Sequence, residues 1–151
     1  MAWRTAWRRV TLVAGVALVA VAVAAWAGAR HPQPPPPGTR VNVRLDDFHV
    51  RPAVAVVPAG TVRFQIVNDG PSTHELIVAR TDRAPGRLPL EPDGLTVDEE
   101  GKGMEHVQEA EGLDIADRRT LALTLAPGHY VLFCNMEGHY LGGMHAAVTV
   151  R

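Results

Sequence analysis

Hydrophobic and polar residues alternate in several short stretches of the chain beyond residue 38. In one of them, Val62, Phe64 and Ile66 are separated by Arg63 and Gln65. A period of two places the apolar side chains on one face of an extended chain, which predicts a half-buried strand. Similar stretches, separated by residues typical of turns, cover 40–45, 53–57, 74–80, 121–125, 130–134 and 146–150. About seven short strands of this kind predict an all-β fold, a sandwich of two antiparallel sheets.

Residues 81–117 interrupt this pattern with a long acidic segment. Between Glu91 and Asp117 the only basic residue is Lys102. A segment of this length without regular structure is uncommon in a compact domain and is typical of a functional loop. We expect an acidic insertion here, either a solvated flap with a short helix at most or a docking surface.

A different pattern opens the chain. Val10 to Ala29 contains no charged residue, and Arg8, Arg9 and Arg30 flank it. Its length is sufficient to cross a membrane, whereas Ala25-Trp26-Ala27 offers the small residues of a signal-peptidase site. The pattern predicts a hydrophobic helix in residues 1–30 that is either a cleaved signal peptide or a retained anchor. Arg8-Arg9 before Val10 also fits a twin-arginine signal, but the basic residues in front of any signal peptide often give the same dipeptide, so the general export route is favoured.

The proline-rich stretch 31–38 predicts an extended linker between this leader and a domain at 39–151. Either fate of the leader places the domain outside the cytoplasm, in the periplasm or at the outer face of the cytoplasmic membrane, with Val10 to Ala29 as its membrane tether if it is retained. The whole chain has a formal net charge of −1. Because the leader carries arginines but no acids, the domain itself is acidic, and we expect no nucleic acid as a partner.

Cys134 is the only cysteine of the chain, so it cannot form an internal disulfide. It opens a loop with His139 and Met144 in a Cys-x4-His-x4-Met spacing. Thiolate and thioether are soft ligands that suit Cu⁺, and imidazole suits both copper oxidation states, so this donor set indicates copper rather than zinc. Since one loop cannot easily surround a metal, a further ligand is expected from elsewhere. His74, which begins a predicted strand after a turn, meets that need.

Two stretches together resemble the cupredoxin family, in particular small bacterial single-domain blue-copper proteins of the plastocyanin and azurin type. They are Asn68-Asp69-Gly70-Pro71-Ser72-Thr73-His74-Glu75 and Pro127-Gly128-His129-Tyr130 through Met144. The resemblance covers residues 39–151 and implies a Greek-key β-sandwich with one copper ion that cycles between Cu⁺ and Cu²⁺. It also implies that His74, Cys134 and His139 are the strong equatorial ligands and Met144 the weak axial one.

The residues beside two ligands depart from the usual blue-copper pattern. Glu75 stands where an asparagine commonly follows the first histidine, and Asn135 stands where a serine or threonine commonly follows the cysteine. We interpret the pair as exchanged in role, with the Asn135 amide donating to the Glu75 carboxylate and tying the two ligand loops together.

Other residues could compete as ligands. Met136 and His145 both lie near enough to propose for the axial position, but a last strand beginning at Met144 would point His145 to the opposite face. The remaining histidines lack partners at ligand spacing and are expected at the surface; they are His31, His49, His106 and His129. His106 offers one alternative, a weak second metal site in the acidic segment.

The expected function is electron transfer outside the cytoplasm. His139 would be the electron exit, within a collar of apolar and small residues that a redox partner such as a cytochrome or oxidase approaches; the collar residues are Met136, Tyr140, Leu141, Gly142 and Gly143. The alternative is a copper-binding protein for resistance, storage or delivery, in which the ion is the cargo. The sequence contains no recognisable nucleophile–base pair, so an enzyme is not expected.

Overall fold

The computed structural model describes residues 38–151, and β-strands make up most of them. The predicted leader and all but the last residue of the predicted linker lie outside the described residues. In chain order the strands are β1 (Thr39–Asp46), β2 (His49–Pro52), β3 (Val56–Val57), β4 (Gly60–Asn68), β5 (His74–Arg80), β6 (Glu105–Leu113), β7 (Arg118–Leu125), β8 (Gly128–Phe133) and β9 (His145–Val150). A short 3₁₀ helix covers Pro85–Arg87. Within residues 38–151, no helix has the length and apolar character needed to cross a membrane.

The strands form two sheets, as the alternation predicts, but the sheets are mixed rather than antiparallel. The first sheet has the order β2-β1-β4-β7 and the second the order β3-β9-β8-β5-β6. β1 and β4 run parallel, as do β3 and β9. The chain leaves the first sheet after β2, contributes β3 to the second, and returns as β4 beside β1. This crossover gives β4 the same direction as β1, and the expectation of purely antiparallel sheets was wrong.

The main core lies between the two sheets and follows the period-two pattern. In β1 and β4, Val43 is opposite Ile66 and Val41 is opposite Phe64, and all four side chains are buried. Leu132 of β8 is fully buried in the same cluster. Burying a side chain of this size contributes about 1.5–3 kcal/mol. The core therefore gives a firm frame for the loops at its ends.

A second hydrophobic cluster covers the outer face of the second sheet. Ile77 of β5 and Phe133 of β8 point to this face and are buried, although solvent would normally be expected there. Leu88 and Val97, from the residues between β5 and β6, pack over them. We call residues 81–104 the outer segment. Leu88 and Val97 therefore pack the outer segment against the sheet, whereas most of its other residues are exposed or half-buried as in the solvated flap that the sequence predicted.

β6 occupies residues that the sequence pattern assigned to the same irregular insertion. It pairs with β5 at the edge of the second sheet. Of its nine residues only Ala110 and Leu113 are buried, so its sequence is mostly polar. The register also shifts, because Val78 is opposite Gln108 whereas Ala79 is opposite His106. This β-bulge breaks the alternation by which the strand would have been recognised.

The outer segment leaves the second sheet and returns to it at one place. The Thr81 hydroxyl donates to the Gly103 carbonyl at 2.7 Å, and Nη2 of Arg83 donates to the Lys102 carbonyl at 2.8 Å. The two ends of the segment are therefore fastened to each other beside the sheet.

Candidate metal centre

Three of the predicted ligands meet at one end of the sandwich. His74 begins β5, Cys134 directly follows β8, and His139 lies in the loop before β9. One ligand atom from each of the three lies within 4.8 Å of the others. They converge because β5 and β8 are antiparallel neighbours, so the start of one lies beside the end of the other.

Met144 completes the loop from Cys134 to Met144, which we call the ligand loop. Its side chain is fully buried in the core cluster that also contains Cys134. The Cys134 N–H donates to the Met144 carbonyl at 3.1 Å, and the Met144 N–H donates to the His139 carbonyl at 3.1 Å. Gly143 has a φ of 107°, a value that glycine adopts readily and that turns the chain into β9. The main chain of Met144 therefore lies against two of the three clustered residues.

The turn before His74 is held by one buried side chain. Asn68 is fully buried, and its Nδ2 donates to the carbonyls of Ser72 at 2.7 Å and Leu113 at 2.8 Å. Its Oδ1 accepts from the Gly70 N–H at 2.9 Å. A Cβ on Gly70 would lie 2.9 Å from Nε2 of His74, so only glycine fits beside the ring. The turn is therefore built to place His74.

His74 has unmet bonding capacity. Its side chain is fully buried, and neither ring nitrogen has a hydrogen-bond partner. Nε2 lies 3.2 Å from Oδ1 of Asp47, near enough for an ion pair but without the alignment of a hydrogen bond. Burial, followed by the neighbouring His139, lowers the pKa of His74. A neutral, buried imidazole with free nitrogens fits a metal ligand, because such groups in a folded protein otherwise find a partner.

Cys134 is a buried thiol. Its Sγ lies 3.6 Å from Nδ1 of His139. Burial raises the pKa of the Cys134 thiol, and hydrogen bonds in its surroundings oppose that shift only in part. The metal-free thiol is therefore protonated near neutral pH and would lose its proton on binding a metal.

The residues that follow His74 and Cys134 are joined by a hydrogen bond, but the donor is the main chain of Asn135 and not the side-chain amide that the sequence predicted. The Asn135 main-chain N–H donates to Oε1 of Glu75 at 2.9 Å. The Asn135 side chain turns away instead. Its Nδ2 donates to the Val97 carbonyl at 3.0 Å and to Oε1 of Glu99 at 2.8 Å. The Glu75 side chain therefore joins β5, which carries His74, to the main chain that follows Cys134. Burial raises the pKa of Glu75.

The outer segment is also bonded to the ligand loop. The Tyr140 hydroxyl accepts from the Leu88 N–H at 2.8 Å and donates to the Pro85 carbonyl at 2.8 Å. The Gly138 N–H donates to the Leu95 carbonyl at 3.2 Å. Sequence reasoning placed Tyr140 in a surface collar, whereas the structure buries it. The tyrosine anchors the loop rather than facing a partner.

The side chains of the competing ligands have other surroundings. The ring of His145 packs against the ring of Tyr140, with centroids 5.2 Å apart, on the outer face, and burial lowers its pKa. Met136 is exposed. His49 and His129 are at the surface as expected, whereas His31 lies outside the described residues. His106 belongs to a separate group with Glu99 and Glu109.

Exposed apolar side chains lie beside His139 and in the same loop. Phe48, at the tip of the β1–β2 turn, is 47% exposed, and its ring centroid lies 5.9 Å from that of His139. Met136 and Leu141 are exposed on the ligand loop itself. Sequence reasoning missed both Phe48 and Asp47. The sequence gives little indication of their roles, because a turn after β1 does not reveal which loop it will contact.

Comparison with known proteins gives one family and several solved structures of similar fold. A family model described as "Cupredoxin-like domain" matches residues 17–150. No curated protein matches the sequence significantly. Among solved structures, dithionite-reduced auracyanin from Roseiflexus castenholzii is 19% identical with a TM-score of 0.56, over 77% of this chain and 99% of that one. Auracyanin B is 23% identical, with a TM-score of 0.54 over 78% and 92%. Rusticyanin from Thiobacillus ferrooxidans is 17% identical, with a TM-score of 0.51 over 76% and 79%.

Proposed function

The chain belongs to the cupredoxin-like domain family, and on that premise we propose that it is an extracytoplasmic carrier of single electrons. Its one copper ion would be held by His74, Cys134 and His139 as strong ligands and by Met144 as the weak axial ligand. We propose a carrier rather than an enzyme.

One observation carries the proposal. The ligand atoms of His74, Cys134 and His139 lie within 4.8 Å of one another, and both nitrogens of the buried His74 ring lack hydrogen-bond partners. Two imidazoles, a thiolate and a thioether are the donor set of a blue-copper centre. The thioether here is that of Met144, which ends the ligand loop. The buried polar atoms and the chemistry of the donors therefore fit copper.

A bound copper ion would supply one-electron exchange between Cu⁺ and Cu²⁺. The protein's contribution is to hold the ligands and exclude water. His74 and Cys134 are fully buried and begin or follow strands of the core. Their positions therefore cannot change much when the charge of the site changes, which keeps the reorganisation small.

His139 is the proposed route of the electron. It is the most exposed of the three clustered residues, and Phe48 lies at its edge. Together with Met136 and Leu141, Phe48 forms an apolar surface suited to a brief encounter with a redox partner such as a cytochrome or oxidase. One of the solved relatives is an auracyanin reduced with dithionite, which is consistent with a redox role for this fold.

The leader supports the proposed location. The uncharged residues Val10 to Ala29, preceded by Arg8 and Arg9, fit an export signal or a membrane tether. Cell fractionation, with the mass of the mature chain, tests this. A full-length chain in the membrane would establish the tether, a shortened soluble chain would establish cleavage, and a cytoplasmic chain would contradict the proposal.

Absorption and electron paramagnetic resonance of the copper(II)-loaded protein test the function. We expect an intense thiolate-to-copper absorption band and a narrow copper hyperfine splitting, both lost in Cys134→Ser. His145→Asn is the matched control, because this histidine is adjacent to Met144 but lies outside the cluster; it should keep both signals.

Reversible reduction decides between carrying electrons and carrying copper. A carrier should cycle repeatedly between the coloured and the colourless form without losing metal. A pale protein that binds only Cu⁺, or releases copper on each cycle, would sink the electron-transfer proposal and favour copper resistance, storage or delivery.

A further inference from the structure

A second group of metal-ligating side chains lies outside the proposed copper centre. Glu99 of the outer segment and His106 and Glu109 of β6 each offer one ligand atom, and these atoms lie within 4.8 Å of one another. We propose that the three residues bind a divalent transition-metal ion of the zinc class. This inference goes beyond the proposed electron-carrier function and does not require it.

The bulge in β6 brings the two strand residues to one side. Residues three apart on a regular strand point to opposite faces. Between the pairs Val78–Gln108 and Ala79–His106, however, β6 contains one residue more than β5. The extra residue reverses the alternation, so His106 and Glu109 point the same way. Bulges re-aim side chains in this manner and are frequent near functional sites.

Glu99 completes the group from a second element. Its Oε2 lies 2.8 Å from Nδ1 of His106, a hydrogen-bond distance, so a bound ion would replace this hydrogen bond and move the two atoms slightly apart. The side chains of His106 and Glu99 are 26% and 27% exposed, so the group is sheltered and still accessible to an ion from solvent. One imidazole with two carboxylates is a donor set that zinc accepts and that magnesium or calcium would use less well.

The charges around the group also favour a cation. Burial and the neighbouring carboxylate of Glu111, together with that of Glu99, raise the pKa of Glu109, while His106 opposes the shift. A bound dication would relieve this repulsion among carboxylates.

The experiment is a calorimetric titration with Zn²⁺ of the full-length protein loaded with one equivalent of copper, which leaves the second group of ligands free. Zinc does not displace copper from a shared site, because copper binds more tightly to a given set of ligands. We expect one further equivalent of zinc to bind. His106→Asn and Glu109→Gln should each weaken that binding by at least about tenfold.

The controls are His129→Asn, an exposed histidine, and Glu105→Gln, an acidic residue of β6 whose carboxylate lies beside Arg80 rather than in the group. Both should bind zinc as the unchanged protein does. Zinc binding that is absent from the unchanged protein, or that persists undiminished in His106→Asn, would overturn the proposal. The same zinc titrations can be made with variants that also carry Cys134→Ala. Failure of the proposed copper centre and failure of the proposed zinc site can therefore be told apart.

Cobalt(II) provides a second measurement. Its visible absorption reports directly on nitrogen and oxygen coordination, so it distinguishes a lost ligand from a variant that folds poorly. Absorption bands in the unchanged protein and in Glu105→Gln, but not in His106→Asn of unaltered circular dichroism, would support the site. The same bands in His106→Asn would contradict it.

Discussion

Oδ1 of Asp47 lies 3.2 Å from Nε2 of His74, a ring that is fully buried. A carboxylate beside a metal-binding imidazole orients the ring and increases its basicity. The relationship makes the tip of the β1–β2 turn a part of the metal centre, although it lies far from the ligands in the sequence.

Asp47→Asn should therefore weaken copper binding by about 10- to 100-fold, with the absorption band retained. Competition with a copper chelator measures the affinity. Asp69→Asn is the control, because that carboxylate pairs with Arg44 rather than with a ligand. Equal affinities for the two variants would show that Asp47 does not position His74.

Glu75→Ala should loosen the copper centre. It leaves the Asn135 N–H without its acceptor, and an unmatched buried donor costs about 1–3 kcal/mol. We expect weaker copper binding or a shifted reduction potential, measured by chelator competition and voltammetry. Glu75→Gln keeps an acceptor oxygen and should restore most of the effect. If Glu75→Ala matches the unchanged protein in affinity and potential, the bond has no role in the centre.

Asn68→Ala should destabilise the domain through the turn that carries His74. It leaves the Gly70 N–H and the carbonyls of Ser72 and Leu113 without the side chain that bonds them. We expect the free energy of unfolding to fall by at least about 1–3 kcal/mol, measured with urea. Gln65→Ala removes an exposed amide from the same strand and should change it little. Similar losses in both variants would contradict this reading of the turn.

Gly142→Ala should disturb the surface around His139. A Cβ at this position would collide with the ring of Phe48, which must then leave its place beside His139. We expect slower electron self-exchange, as in Phe48→Ala, with the absorption band unchanged. Val54→Ala removes an exposed apolar side chain elsewhere and serves as the control. Exchange rates that are unaffected in both Gly142→Ala and Phe48→Ala would exclude this surface from electron transfer.

The metal-free protein should lose stability as the pH falls below the ordinary pKa of histidine. Burial lowers the pKa of His145 below 6.5, so the unfolded chain binds a proton that the folded chain resists. This contribution is fully present above pH 6.5 and is lost as the pH falls toward the folded-state pKa. His145→Gln should flatten the decline in urea unfolding between about pH 8 and pH 5. An identical decline in His145→Gln would contradict the prediction, and His129→Gln should leave the decline unchanged.

The sequence predicts the proposed metal centre well because its pattern is local. Cys134, His139 and Met144 lie in one loop, and His74 follows a turn whose residues are themselves recognisable. Alternation in β1, β4 and β7 also predicts the main core, because each of these strands has one buried face.

Features that depend on distant contacts could not be predicted. The alternation of polar and apolar residues is the same for either strand direction, so the parallel pair of β1 and β4 was not predicted. β6 is a polar edge strand with a bulge, and therefore has neither the composition nor the period of a strand. Leu88 and Val97 are isolated apolar residues whose burial becomes clear only when the outer face of the second sheet is known.

The fastening of Thr81 to Gly103 and of Arg83 to Lys102 makes the outer segment a removable module. Because its two ends already meet, a short turn could replace everything between them without changing the register of β5 and β6. Such an excision would uncover Ile77 and Phe133 and release the ligand loop from Tyr140's anchors. The segment is thus a structural unit of its own, and the stiffness of the ligand loop is the property that depends on it.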